Sequence, residues 1–275
     1  MVLRIHNPTF PLNEFVEHLV YYHGLSTAHK LDRFLPDGNT EIIIDLADHS
    51  QYIYDNETLE EIQVCRYGWV SGVRTRPITI PSGGGSRMLI VAFKKGRAFP
   101  FYSFPISDLT NIVAEAGLVF GRAFCDLREQ LLGANSIESM FDLTERFLLH
   151  VAGTAIGIDT SNRCVEYALS NIICNPSIQR LHQLSDEIGY SQKHFIDLFR
   201  QRVGMTPKQY LRIMRFQKAV LAIERSQMLP WSHIALTCGY YDQAHFIHDF
   251  KEFSGFTPGE YMKRKRGTLN YIPVE

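Results

Sequence analysis

Long apolar runs are missing from this 275-residue chain; none approaches the ~20 consecutive residues that a membrane-spanning helix requires. The opening "MVLRIHNPTF" also lacks the apolar core of a secretion signal. Both absences lead to the expectation of a cytoplasmic protein with no membrane partner. Cysteine is sparse and unpatterned. Cys65, Cys125, Cys164, Cys174 and Cys238 form no CxxC, and an odd count without a framework fits a reducing compartment. The simplest reading is buried apolar thiols. Gly83-Gly84-Gly85 is followed by no lysine and Ser/Thr at Walker spacing, so it reads as a hairpin loop between strands, not a phosphate cradle. His18 and His23 are five apart, not the four of a helical metal pair. No nucleophile motif, carboxylate pair or metal cluster stands out. The chain is therefore expected to have no catalytic residues, no cofactor and no metal.

What is present is a globular composition, 45% apolar and 21% charged, over a length that suits two domains. The net charge of −1 hides an asymmetry. From Asn162 onward fifteen Lys and Arg face ten Asp and Glu; before it thirteen face nineteen. A cationic C-terminal part beside an anionic N-terminal part suits a nucleic-acid reader joined to something else.

The C-terminal part says nearly the same thing twice. Gly189-Tyr190 recurs as Gly239-Tyr240; Phe195, Phe199, Gly204, Thr206-Pro207 and Tyr210 recur as Phe246, Phe250, Gly255, Thr257-Pro258 and Tyr261. One structural unit used twice is the natural reading. In the first, Ile178, Leu181, Leu184 and Ile188 mark a leading helix that Gly189 ends. Ser191 caps the next helix, Gly204 stops it, and Thr206 with Pro207 opens a third. The second unit repeats this with Ile234 to Cys238, Gly239, Asp242 as cap, Gly255 and Thr257-Pro258. Helix, tight turn and helix with an exposed polar face is the helix-turn-helix pattern. Between the copies, "PKQYLRIMRFQKAVLAIERS" reads as a helix of about 25 Å. A rod of that length can present two recognition helices to successive major grooves, about 34 Å apart.

The phrases "GYSQKHFIDLFRQRVGMTPKQYLRIMRFQKA" and "IALTCGYYDQAHFIHDFKEFSGFTPGEY" resemble the two-helix-turn-helix DNA-binding domain of the AraC/XylS family of transcription regulators. The resemblance covers about the last hundred residues and needs both copies, their order and the linking helix.

Ahead of it the idiom is β structure. Phe15, Leu19 and Tyr22 suggest a short amphipathic segment closed by Gly24. Pro36-Asp37-Gly38-Asn39 is a turn, Glu41 to Leu46 a β-branched strand, Asp48-His49 a turn, and Gln51 to Tyr54 a strand. Val64 to Val70, Arg76 to Ile80 and Met88 to Phe93 read as three more. From Phe101 the apolar steps become helical, with Ser107, Asn135 and Ser136 as candidate caps and Ile137 to Val151 the clearest helix. Strands then helices give an α+β domain over 1–152, a linker over 153–163, and an all-α domain over 164–267. "FLPDGNTEIIIDL" resembles a motif in the N-terminal domain of a subset of the same family, although "FKKG" departs from that subset's Phe-x-Pro-Gly. The resemblance implies a small β-barrel or cupin-like sheet followed by helices, which senses an effector or mediates dimerisation. It also implies RNA polymerase as a partner if the regulator activates.

Side chains facing away from Phe195, Leu198 and Phe199 are candidate base readers: Gln192, Lys193, Ile196, Asp197 and Arg200. Lysine can donate to guanine, glutamine can pair with adenine, and isoleucine can pack on a thymine methyl. Asp197 reads a cytosine amino group or pairs within its helix with Lys193 or Arg200. The second helix offers Gln243, Ala244, Ile247, His248 and Lys251, with His245 nearer the apolar face. Ser191, Lys208, Arg212, Tyr241 and Lys251 are candidate phosphate contacts. Lys263 to Arg266 is a backbone grip or a solvated helix end. In the N-terminal part Arg33, Glu41, Tyr67, Trp69 and Arg74 combine aromatic walls with polar groups, as an effector site does, or are ordinary core and surface. A regulator of double-stranded DNA transcription, sensitive to a small molecule or to homodimerisation, is the leading reading. An enzyme with an accessory DNA-binding domain and an interaction module that no longer binds DNA are the alternatives.

Overall fold

The computed structural model describes residues 1–24, 29–47, 50–83, 85–156, 160–177, 189–225, 230–265 and 270–274. Its strands are β1 (Val2–His6), β2 (Val16–His23), β3 (Leu31–Phe34), β4 (Glu41–Asp45), β5 (Gln51–Tyr54), β6 (Glu61–Cys65), β7 (Gly68–Ser71), β8 (Ile78–Pro81), β9 (Arg87–Phe93), β10 (Val113–Glu115) and β11 (Tyr271–Pro273). They form two antiparallel sheets, β1-β2-β9-β4-β7-β10 and β11-β3-β8-β5-β6. Side-chain alternation gives the first sheet two different faces. Ile42, Ile44, Val70, Leu89, Val91 and Phe93 point outward into the main core. There they meet α2 (Arg122–Leu132) and α3 (Ile137–Ala152), behind the short α1 (Ala116–Phe120). The opposite face looks at the second sheet, where Trp69 packs with Ile53, Cys65, Ile78, Ile80 and Val113.

The short amphipathic segment is strand β2. Val16, Leu19 and Tyr21 are buried, and a register shift between Val16 and His18 breaks the alternation. That one irregularity makes a period of two resemble helical spacing. The single strand expected over Val64 to Val70 is two strands, because Tyr67 takes a left-handed backbone (φ 64°) and turns the chain. The triple glycine is not a hairpin loop: β8 and β9 lie in different sheets, so the loop crosses between them. Asp48-His49 and the leading helix of the first repeat lie outside the described residues.

The helical part comprises α4 (Thr160–Cys174), α5 (Gln192–Val203), α6 (Pro207–Arg225), α7 (Trp231–Cys238), α8 (Gln243–Ser254) and α9 (Pro258–Arg264). Helix α4 starts inside the stretch expected as linker. The apolar core runs without interruption from the sheets into these helices. The close approaches explain two glycines. A Cβ on Gly204 would sit 2.5 Å from Val73 Cγ1, and one on Gly38 would sit 2.8 Å from Met214 Cε. Gln217 Nε2 donates to Pro36 O at 2.6 Å, so the Pro36–Asn39 turn rests on α6. After α9 the chain returns to the front half. There β11 pairs with β3, Ile272↔Arg33, and Ile272 is buried.

Candidate nucleic-acid interface

Local chemistry builds each unit as the sequence requires. Ser191 Oγ accepts from His194 N at 3.3 Å and caps α5, and Gly204 ends it at φ 95°. Asp242 Oδ1 accepts from His245 N at 2.7 Å and caps α8, and Gly255 ends that helix at φ 79°. Thr206 with Gln209, and Thr257 with Glu260, close reciprocal caps on the helices that follow. Helix α6 joins the units with 19 residues, about 28 Å of rod.

On α5, Gln192, Lys193, Asp197 and Arg200 are exposed and Ile196 is half-buried. On α8, Gln243, Ala244, His248 and Lys251 are exposed and Ile247 is half-buried. Neither stripe is covered by the β-rich part. Among the described residues Asp197 has no ion-pair partner, so the intrahelical pairing with Lys193 or Arg200 is absent. Ser191, Lys208 and Tyr241 are exposed at helix starts, Tyr241 to 90%.

Arg212 is placed differently. Its guanidinium donates to Asp249 at 2.8 Å and to Glu252 at 2.6 Å, and it lies 5.0 Å from the Phe253 ring. Those hydrogen bonds hold it well above the ordinary arginine range, against the effect of partial burial. Arg212 therefore ties α6 to the second recognition helix. Asp249 sits among Phe246, Phe250 and Phe253 on the apolar face. A carboxylate at such a position requires a covering cation, and that is the signal by which the sequence could have disclosed the pair. His248, Asp249 and Glu252 offer donor atoms within 4.8 Å of one another, but both carboxylates already neutralise Arg212. His245 turns back into its own unit, with its ring edge-on to Tyr240 and Nε2 3.7 Å from Asp249. At the basic tail Lys265 Nζ donates to Ile223 O, and Arg264 stacks on Phe256. Lys263 is exposed, and Arg266 lies outside the described residues.

The five effector candidates separate. Glu41 and Trp69 share the face that looks between the sheets, since Ile42 and Val70 take the other. Burial, and then the like charge of Asp37, push Glu41 up to about 7; Arg74 opposes this. Burial lowers Arg74 to about 10 despite Glu41, and its Nη2 is buried with no hydrogen-bond partner among the described residues. Tyr22 belongs to the same group, raised to about 12 by burial and by Asp45. Tyr67 and Arg33 lie elsewhere. Tyr67 is 60% exposed and carries the Arg128 guanidinium on its ring. Arg33 is buried at the junction with the second unit, donating to Thr79 Oγ1 at 3.2 Å and to Asn56 O, and lying 5.1 Å from the Phe256 ring.

Two capped helices with exposed polar stripes, fixed to one rod, define a double helix-turn-helix protein. Residues 184–264 match the family described as "Helix-turn-helix domain", and residues 4–115 match a domain of unknown function, DUF6597. The chain is 35% identical over 83 residues to an uncharacterised HTH-type transcriptional regulator of Haemophilus influenzae, covering 30% of this chain and 28% of that one. It is 35% identical over 81 residues to the HTH-type transcriptional activator RhaR of Escherichia coli K12, covering 30% and 28%. The match thus spans less than a third of the length of these two relatives. Among solved structures it is similar to ToxT of Vibrio cholerae (11% identity, TM-score 0.45, 89% of this chain and 98% of that one). Residues 184–264 thus form a helix-turn-helix domain similar to those of HTH-type transcriptional regulators. No helix among the described residues is long and apolar enough to cross a membrane.

Proposed function

We propose that the protein is a sequence-specific transcription regulator of double-stranded DNA. It acts by binding, without catalysis, in the bacterial cytoplasm. The single observation that carries this is the pair of exposed stripes, Gln192–Lys193–Arg200 and Gln243–His248–Lys251, on capped helices joined by α6. Lys193 and Arg200 suit guanine edges, Gln192 and Gln243 suit adenine, and Ile196, Ala244 and Ile247 suit thymine methyls. Asp197 is free to accept from a cytosine amino group. Ser191, Lys208, Tyr241 and Lys251 stand where phosphates pass; Arg212 positions α8 instead. Quantitative footprinting on the protein's own promoter region over a salt series tests the reading. A protected site whose affinity falls steeply with salt is expected. Binding that is absent or insensitive to salt overturns it.

The β-rich part, 1–152, is proposed to take a small-molecule effector between its two sheets. Arg74, Glu41 and Trp69 supply a cation, a proton-sharing carboxyl and an aromatic wall there, and the unsatisfied Nη2 of Arg74 supports this placement. Native mass spectrometry of the purified chain should reveal a bound small molecule whose retention is lost in Arg74→Gln. Homodimerisation through this part, and contact with RNA polymerase if the protein activates, complete the proposal.

A further inference from the structure

Past Arg74, the segment that joins β7 to β8 leaves the space between the sheets and borders the helical part. Between β7 and β8 the chain runs Gly72 to Pro77. Val73 packs on Gly204, the residue that ends α5. Thr75, Arg76 and Pro77 then line a cleft of about 590 Å³ with Gln209 and Arg212 of α6 and the end of α8 from Lys251 to Gly255. This one segment therefore packs on the first unit and shares a cleft with the second.

The charges of this cleft sort into satisfied and unsatisfied groups. Arg33 and Arg212 are held by Thr79, Asn56, Asp249 and Glu252. Asp55 is turned into its own loop, accepting from Glu57 N and Thr58 N at 2.8 Å each, which keeps its carboxyl below the usual range. Three exposed charges remain without a hydrogen-bond or ion-pair partner among the described residues: Arg76, Lys251 and Glu57. Lys251 lies on the outward stripe of α8, one turn beyond Ile247 and two turns beyond Ala244. Arg76 thus shares a cleft with the end of the stripe proposed to face the duplex.

We infer that the Thr75–Pro77 turn of the β-rich part belongs to the DNA-contacting surface, with Arg76 holding a backbone phosphate beside Lys251. The inference rests on the DNA-binding reading above. A guanidinium suits a phosphate through its fork of donors, and an exposed, unpaired one needs no partner removed before it binds. Glu57, across the same cleft, repels that phosphate. The β-rich part then adjusts DNA affinity directly, because any shift of the turn moves a phosphate contact.

The test uses the full chain and a fluorescently labelled 40-base-pair duplex of mixed sequence, titrated from 50 to 200 mM salt. Lys193→Ala serves as the control for the reading itself. Arg76→Gln should weaken binding several-fold and lower the salt slope by about 0.9, the value of one phosphate contact. Arg76→Lys should keep the slope, and Glu57→Gln should tighten binding. Both positions are exposed and unpartnered, so thermal melts should stay unchanged. If Lys193→Ala weakens binding while Arg76→Gln keeps the wild-type slope, the inference falls and the DNA reading stands. A wild-type chain that binds the duplex without salt dependence, or not at all, removes both. An unchanged slope together with a pyrophosphate-induced thermal shift that Arg76→Gln abolishes assigns the cleft to a small anion and also overturns the inference.

Discussion

The two helix-turn-helix units share a sequence pattern but are fastened by different forces. Where unit one has Leu198, half-buried, unit two has Asp249, buried and paired with Arg212. Where unit one has Arg202, stacked on Phe99 of the β-rich part, unit two has Phe253 under Arg212. Met205, fully packed, corresponds to Phe256, whose ring carries the guanidinium groups of both Arg33 and Arg264. Unit one meets the β-rich part chiefly through close apolar packing around Gly204, with Thr110 Oγ1 donating to Gly204 O and Arg202 stacked alongside on Phe99. Unit two meets it through cations on aromatic faces and through β11. Close packing responds sharply to an added methyl group, whereas stacked flexible cations yield. The same motif can therefore be locked at one end of the rod and adjustable at the other.

The largest effect should come from the ion pair that unit one lacks. Asp249→Ala leaves Arg212 without its buried partner and should cost about 3 kcal/mol of unfolding free energy. Leu198→Ala, at the half-buried equivalent, should cost about 1 kcal/mol. Urea denaturation measures both. Joint replacement of the pair, Asp249→Leu with Arg212→Met, should recover most of the loss, since an apolar pair of similar volume avoids the uncompensated charge.

Next come the two helix-ending glycines. Gly204→Ala forces a Cβ within 2.5 Å of Val73 at φ 95° and should lower stability by about 2 kcal/mol. At Gly255 the nearest atom is Arg33 Nη1, 2.9 Å away at the end of a flexible side chain. Gly255→Ala should lose only the backbone term, about 1 kcal/mol. Equal thermal shifts for the two variants would remove the distinction between locked and adjustable units.

Read in DNA affinity and not in stability, Lys193→Ala and Gln243→Ala should each cost about 1–3 kcal/mol and relax selectivity at one base position. A selection from randomised duplexes reports which base is released. A uniform loss over all sequences would mark the residue as a phosphate contact. The smallest change should be Asp197→Asn, which removes an unpaired carboxylate from a phosphate-rich surface. It should tighten binding to non-specific duplex by less than tenfold, measured by anisotropy.

Reading the chain in order succeeds where the force is local. Strands β4 and β5, helix α3 and the caps Ser191, Thr206, Asp242 and Thr257 follow from neighbours a few residues apart. It fails where the partner is distant. Strand β1 has four exposed residues in a row and so shows no alternation. In β2 the register shift hides the period. Strand β11 is three residues long, with no pattern of its own, and exists because β3 offers an edge. At the candidate interface the exposed stripes were legible, because each is what the buried phenylalanines leave outside. The role of Arg212 was not, since a surface arginine on a helix looks the same whether it meets a phosphate or a carboxylate from 37 residues away. The five proposed effector residues likewise divided only when the sheets closed. Trp69 and Tyr67 are two positions apart, but Tyr67 lies before β7 with a left-handed backbone, so strand alternation does not put the two on one face.

The order of residues alone determined two capped helical units, the rod between them and the outward stripes, because capping, helical periodicity and glycine's left-handed backbone act within one or two turns of chain. Only the tertiary structure decided that Asp249 seats Arg212, that Arg33 and β11 hold the second unit to the sheets, and that Arg76 and Lys251 line one cleft. Those are meetings of groups far apart in sequence, and their energies depend on burial and on which charge arrives, which a linear pattern does not specify.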